Sequence, residues 1–171
     1  ICAALAASRE LVDEKTAVEA IKEFNSVEHR LEFVREINGV KWYNDSASSS
    51  PSRTIAGLNA YDEEIVLIAG GYDKNLDYDI LGKYIVKKVK ALVLIGNTAK
   101  KILDATTKEM EKQGVELPIC FCQTLEDAVK AAKQVAKENQ VVLFSPASAS
   151  FDMFKNFADR GNQFKKLVNE L

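Results

Sequence analysis

The strongest constraint on this chain is an alternation that starts near residue 64 and runs almost to the end. Short apolar runs of strand length (Glu64–Ala69, Ala91–Ile95, Pro118–Cys122 and Val141–Phe144) alternate with longer stretches of helical periodicity (Asp79–Val89, Ala99–Gln113 and Leu125–Lys137), and a mostly helical Asn156–Leu171 closes the chain. Val141–Phe144 is apolar at every position, the pattern of a strand buried on both faces. Strands separated by amphipathic helices form βαβ units, and right-handed crossovers lay the helices on both faces of the sheet. Ahead of this region, Asn38-Gly39 joins Leu31–Ile37 to Val40–Asn44; both turn residues accept positive φ, so the segment reads as a hairpin. The predicted fold is α/β: a Rossmann-like, mainly parallel sheet with helices on both faces and an N-terminal β-hairpin at its edge.

Ser50-Pro51 reads as an N-cap followed by the first helical position of a helix to about Asn59. Two more helices are expected before the hairpin. The first is Ile1–Leu11. The second is Thr16–Phe24, capped by Asp13, with Ala17, Ala20, Ile21 and Phe24 on one stripe. Asn25–Arg30 is polar and irregular, a linker. The expected division is therefore residues 1–27, a helical remnant of another domain plus linker, and residues 28–171, the α/β domain. The chain starts with Ile rather than Met, so a fragment or a processed product is expected.

Composition narrows the function. With 171 residues, 47% of them hydrophobic and 28% charged, the chain can build one good core. The net charge is −2 and Lys and Glu are interspersed, so no basic stripe offers itself to nucleic acid. No long uncharged apolar run is present to span a membrane, and no secretory signal is visible. Cys2, Cys120 and Cys122 form an odd set without disulfide-like spacing, which points to a reducing compartment. Cys120 and Cys122 share one face of a strand. Two sulfurs and a distant His29 do not make a zinc site, so core packing is expected. No G-x-x-x-x-G-K-[ST] phosphate loop and no nucleophile elbow occurs.

Unusual residues collect where strands end. Asn44-Asp45-Ser46-Ala47-Ser48-Ser49-Ser50 follows the hairpin, Gly70-Gly71-Tyr72-Asp73-Lys74 follows the next strand, and Ser145-Pro146-Ala147-Ser148-Ala149-Ser150 follows the last. In a parallel sheet these loops share the carboxyl edge, where ligands bind. A helix capped by Asp152 is expected to start just beyond Ser150 and to add its positive end to an anion site. Lys74 can hold a carboxylate or phosphate as a point charge, or be an ordinary solvated lysine. Asp45 can accept from vicinal hydroxyls such as a ribose, or simply shape a turn. Arg30, beside His29 in the linker, can reach a phosphate bound between domains. Read this way, the residues give an anion- and hydroxyl-binding edge and name no reaction.

Several stretches carry a resemblance: Glu28-His29-Arg30, the strand end Trp42-Tyr43-Asn44-Asp45-Ser46, Thr54-Ile55-Ala56-Gly57-Leu58-Asn59, the loop Gly70–Lys74, and Ser145–Asp152 followed by Phe154-Lys155-Asn156-Phe157 and Arg160-Gly161. Together they resemble the C-terminal domain of the Mur ligases, and the last two the D-glutamate-adding member. The resemblance implies a three-domain bacterial cytoplasmic enzyme of peptidoglycan precursor synthesis. Such an enzyme uses ATP and Mg2+, bound mainly by a central domain, to convert the carboxylate of UDP-N-acetylmuramoyl-L-alanine to an acyl phosphate, which D-glutamate then attacks. It implies a D-glutamate pocket of Ser49, Lys74, Ser150, Phe151 and Phe157, with Ser49 where the family often has Thr. It implies nucleotide contacts from Arg30 and Asp45. Ala47 stands where many members carry Lys, and Arg53 is the candidate to replace that charge. No catalytic group and no metal ligand is expected within this chain, which alone should neither hydrolyse ATP nor ligate. No oligomeric state is implied. Two alternatives remain: the matching domain of another Mur ligase or of folylpolyglutamate synthase, and a non-catalytic nucleotide- or partner-binding module.

Overall fold

The structure is a computed structural model that describes residues 2–23 and 27–171. Its elements are α1 (Cys2–Ser8), α2 (Glu14–Glu23), β1 (Glu32–Ile37), β2 (Val40–Asn44), α3 (Pro51–Leu58), β3 (Ile65–Ala69), α4 (Asp79–Lys88), β4 (Val89–Leu94), α5 (Ala99–Gln113), β5 (Ile119–Phe121), α6 (Leu125–Val135), β6 (Val141–Phe144) and α7 (Phe157–Asn169). The six strands make one sheet in the order β1-β2-β6-β3-β4-β5, with only the β1–β2 hairpin antiparallel.

Strand alternation sorts the core into two layers. On β3, Ile65, Leu67 and Ala69 face α3, α4 and α5 through Leu58, Leu81, Ile85 and Ile102. Val66 and Ile68 face the opposite layer, where α6 and α7 contribute Val129, Ala132, Phe164 and Val168. Phe144 stacks on Phe164 at 4.6 Å between ring centroids, and Trp42 lies 6.3 Å from the same ring. Helices on both faces and the hairpin edge are as the periodicity predicts.

Local signals account for most boundaries. Asn38 and Gly39 take φ of 51° and 75° in the hairpin turn. Gly114 ends α5 in the left-handed region at φ 66°. Thr16 N–H donates to Asp13 Oδ1 at 3.0 Å, as expected of a cap, although α2 already starts at Glu14. Helix α1 stops at Ser8, short of Leu11. Phe24 and the start of the expected linker, Asn25, lie outside the described residues.

Two expectations are corrected. Asp152 caps no helix: residues 151–156 form turns and bends, and α7 starts at Phe157, capped by Asn156, whose side chain accepts from Asp159 N–H at 2.8 Å. Asp152 Oδ2 instead accepts from Asn97 N–H at 3.3 Å, on another loop. The cysteines are not a core pair either. Cys120 is exposed, because β5 is the short outermost strand, and only Cys122 touches the core margin.

Candidate functional site

The strand order locates the site. The chain leaves β3 toward β4 and β5, then returns so that β6 lies on the other side of β3. The carboxyl ends of β3 and β6 thus flank a topological switch point, where open α/β sheets bind ligands. The two loops that leave these strands are stitched together. Gly70 N–H donates to Pro146 O at 2.8 Å, Tyr72 N–H donates to Ala149 O at 2.9 Å, and Tyr72 and Ala149 form an isolated antiparallel bridge. At Gly71 a Cβ would meet Ala149 O, and at Gly70 it would meet Ile95 O, so close backbone approach demands both glycines.

A buried polar layer holds these loops from below. Thr98 Oγ1 accepts from Gly71 N–H at 3.0 Å and lies 2.7 Å from Ser148 Oγ, which in turn lies 2.9 Å from the Tyr78 hydroxyl. Arg160, fully buried, reaches in from α7. Its Nε donates to Ser46 Oγ at 3.0 Å, Nη1 to Ala149 O at 2.9 Å, and Nη2 to Ser46 O at 2.9 Å and Ser148 O at 3.1 Å. One guanidinium therefore ties the loop after β2 to the loop after β6, its planar fork matching carbonyls on two segments. Burial pulls its pKa down to about 10, which still leaves it charged at neutral pH.

Above this layer lies an exposed one. Lys74 is exposed, with its ammonium 5.7 Å from the Phe151 ring centroid. Tyr72 lies edge-on to Phe151 at 6.1 Å, and both rings are exposed. Asp73 is engaged by Lys101 at 2.7 Å rather than by its neighbour Lys74. Ser150 is buried, and its carbonyl accepts from Phe154 N–H at 2.9 Å in a turn. No helix starts there, so the expected contribution of a helix dipole at Ser150 is absent; α7 begins seven residues further on, at Phe157.

The other predicted residues gather at the loop after β2. Asp45 is buried. Its Oδ1 accepts from Leu31 N–H at 3.3 Å and its Oδ2 from the Ser145 hydroxyl at 2.7 Å. Burial raises its carboxyl above the usual aspartate range, against the lowering effect of these donors. Arg30 is exposed next to it, and Arg53 is exposed with Nη1 donating to Ala47 O at 3.2 Å. Ser49 is half-buried and donates its N–H to Ala47 O at 3.0 Å. Phe157 accepts from the Ser46 hydroxyl at 2.8 Å through its carbonyl, and its half-exposed ring meets His29 edge-on at 6.0 Å. His29 itself is buried, with Nδ1 2.9 Å from Asn44 Nδ2, and Lys165 bridges Glu28 and Glu32 beside it at 2.6 and 3.1 Å.

The structure thus brings Lys74, Phe151 and the backbone of Ser150 together, and separately gathers Arg30, Asp45, Ser49, Arg53 and Phe157, with Arg160 joining the two groups. Sequence reasoning missed Arg160, Thr98, Ser148 and Tyr78 as the supports of this rim. The pair Arg160-Gly161 was the available signal for the first: at Gly161 a Cβ would meet the His29 ring, so α7 must pass close to the junction.

The fold and its rim define an α/β domain with a switch-point site, and residues 29–148 match the family model described as Mur ligase, glutamate ligase domain; the chain belongs to that family. Its similarity to one member is closer still. A protein of Acetivibrio thermocellus named UDP-N-acetylmuramoylalanine–D-glutamate ligase is 55% identical over 171 residues, covering 99% of this chain, and one of that name from Clostridium tetani is 46% identical over 171 residues, covering 98%. The chain spans 37% of the length of each of these relatives. Among solved structures, a bifunctional folylpolyglutamate synthase/dihydrofolate synthase of Yersinia pestis superposes with a TM-score of 0.65 at 16% identity, over 96% of this chain and 37% of that one. A murein peptide ligase of Psychrobacter arcticus gives 0.57 at 14%, over 97% and 35%. At such identities these two show a shared fold. No helix among the described residues is long and apolar enough to cross a membrane.

Proposed function

We propose that this chain is the amino-acid-binding domain of a bacterial cytoplasmic ATP-dependent ligase that joins D-glutamate to UDP-N-acetylmuramoyl-L-alanine in peptidoglycan precursor synthesis. The observation that carries the reading is 55% identity over 171 residues, 99% of this chain, to a protein named for that reaction. The rim supports it chemically. Lys74 offers a compact positive charge to a side-chain carboxylate. Tyr72 and Phe151 supply apolar edges that exclude water from it, with Ser150 in the same group; Ser49 and Phe157 belong to the second group, across Arg160, and would close the proposed pocket from that side. ATP and Mg2+, held mainly by parts outside this chain, supply the phosphoryl group that activates the carboxylate of UDP-N-acetylmuramoyl-L-alanine. The work of this domain is then to orient the D-glutamate amine toward the activated carbonyl and keep water out, since hydrolysis competes with amide formation.

On the nucleotide side, Arg30 and Arg53 are exposed and suited to phosphate, and Arg53 stands over Ala47, the position where a lysine charge is missing. Asp45 fits a ribose less directly. Both its oxygens already accept hydrogen bonds, so a sugar hydroxyl would have to displace Leu31 N–H or the Ser145 hydroxyl.

The test is a chimera in which this chain replaces the matching part of the Acetivibrio thermocellus relative. With UDP-N-acetylmuramoyl-L-alanine and ATP, ADP release is expected to depend on D-glutamate and not on L-glutamate, L-lysine or meso-diaminopimelate. The chain by itself is expected to release no ADP. Dependence on one of the other amino acids, or ADP formation by the chain alone, overturns the proposal.

A further inference from the structure

Cys120 and Cys122 have no part in the rim. Cys120 lies in β5 and Cys122 directly follows its last residue, Phe121, and residues two apart in extended chain align on one side; β5 pairs with β4 on one side only. Cys120 is exposed and Cys122 is half-buried, with the two sulfurs 3.8 Å apart. Two sulfurs on one tetrahedral centre at zinc-like bond lengths lie about 3.8 Å apart, and on a pyramidal trivalent centre they lie somewhat closer. The thiols therefore stand slightly wider than two ligands on a shared arsenic atom, a gap that small side-chain rotations close. A direct disulfide is geometrically less suited. Extended residues two apart place their Cα atoms about 6.6 Å apart, close to the upper limit of about 6.8 Å for that bond.

We propose that Cys120 and Cys122 form a two-thiol chelating site for trivalent arsenic and arsenicals of that class. No group of three or more His, Cys, Asp or Glu side chains suited to a metal occurs among the described residues, so an ion that needs four protein ligands is poorly served here. An organoarsenical that carries its own substituent needs only two sulfurs. The reaction conserves oxidation state: two As–S bonds form, the arsenoxide oxygen leaves as water, and that water carries away both thiol protons. The Cys122 thiol is pushed up to about 11, first by burial and then by Cys120, so capture accelerates as pH rises and thiolate becomes available.

The test uses the 171-residue chain carrying Cys2→Ser, which leaves only this pair, with phenylarsine oxide as the probe and native intact-mass spectrometry as the readout. One adduct per chain is expected, stable to an excess of 2-mercaptoethanol and removed by a dithiol such as 2,3-dimercaptopropanol. Adding Cys120→Ser or Cys122→Ser is expected to weaken retention at least about 100-fold, because a second, tethered sulfur confers about that advantage. Cys120 is exposed, so its serine variant should keep the fold, checked by its melting curve. Adducts stripped by 2-mercaptoethanol, or undiminished retention in either serine variant, overturn the proposal.

Discussion

The two ends of the sheet spend backbone freedom differently. At the end away from the site, positive φ falls on Asn38, Gly39, Gly114 and Asn139, residue types that enter the left-handed region at little cost. At the carboxyl rim it falls on Gly70, Gly71, Asn75 and Gly96 but also on His29, Leu31 and Ala147. A side chain such as Leu in that region is strained, by about 1–2 kcal/mol per residue, and persists only where surrounding contacts over-determine it. The rim has such contacts: the Arg160 fork, the Thr98–Ser148–Tyr78 hydroxyls and the Asp45 carboxylate are all buried and directed at its loops. Ordinary turns suffice at one end, and a fixed arrangement of strand-end loops is held at the other. The exposed side chains proposed to meet ligand, Lys74 and Phe151, sit on top of that fixed layer rather than in it.

The sharpest way to break this contrast is Arg160→Met. Loss of a buried fork that serves Ser46, Ser148 and Ala149 strands several acceptors, and a stability loss of at least about 3 kcal/mol is expected in a denaturant titration. A loss below about 1 kcal/mol would mean that the rim needs no such support. Gly70→Ala comes next. Its Cβ collides with Ile95 O at a φ of 113°, and about 2–3 kcal/mol of destabilisation is expected by the same measurement. Lys74→Ala sharpens the division into layers: stability should hold within about 0.5 kcal/mol, while the chimera's KM for D-glutamate rises at least about tenfold, the equivalent of about 1.4 kcal/mol. Asp45→Asn probes the smallest effect. Burial raises the Asp45 carboxyl in the folded chain, so the native state holds that proton more tightly than the unfolded one. Its contribution is thus fully present below the ordinary aspartate pKa and is lost as pH rises through the folded value. Comparing pH–stability curves of the two proteins should show that decline above the ordinary aspartate pKa in the parent and not in the variant.

Much of the body was legible because its signals are local. Asn38-Gly39, Ser50-Pro51 and Gly114 punctuate the chain by their own φ preferences, and the uninterrupted run Val141–Phe144 fits only a strand covered on both faces. The errors share a cause. Asp152 looks like a cap because the sequence shows a polar residue before a helical pattern, but its partner Asn97 is 55 residues away. Cys122 and Cys120 look like core residues because an apolar strand is assumed to be central, and nothing in Pro118–Cys122 reveals that it becomes the outer edge. Arg160 reads as one more charge on a helix until its carbonyl partners, contributed by loops up to 114 residues distant, are in place.

By itself, then, the sequence determined the alternating elements, the hairpin and the two-sided burial of Val141–Phe144, which rest on periodicity and intrinsic backbone preference, and it carried the motifs of the family resemblance. Only the tertiary structure decided that β6 inserts between β2 and β3, which puts the Lys74 and Ser150 loops side by side and leaves β5 with an open edge. Strand order depends on which buried surfaces pack together over long chain separations, and a local pattern carries no record of that choice.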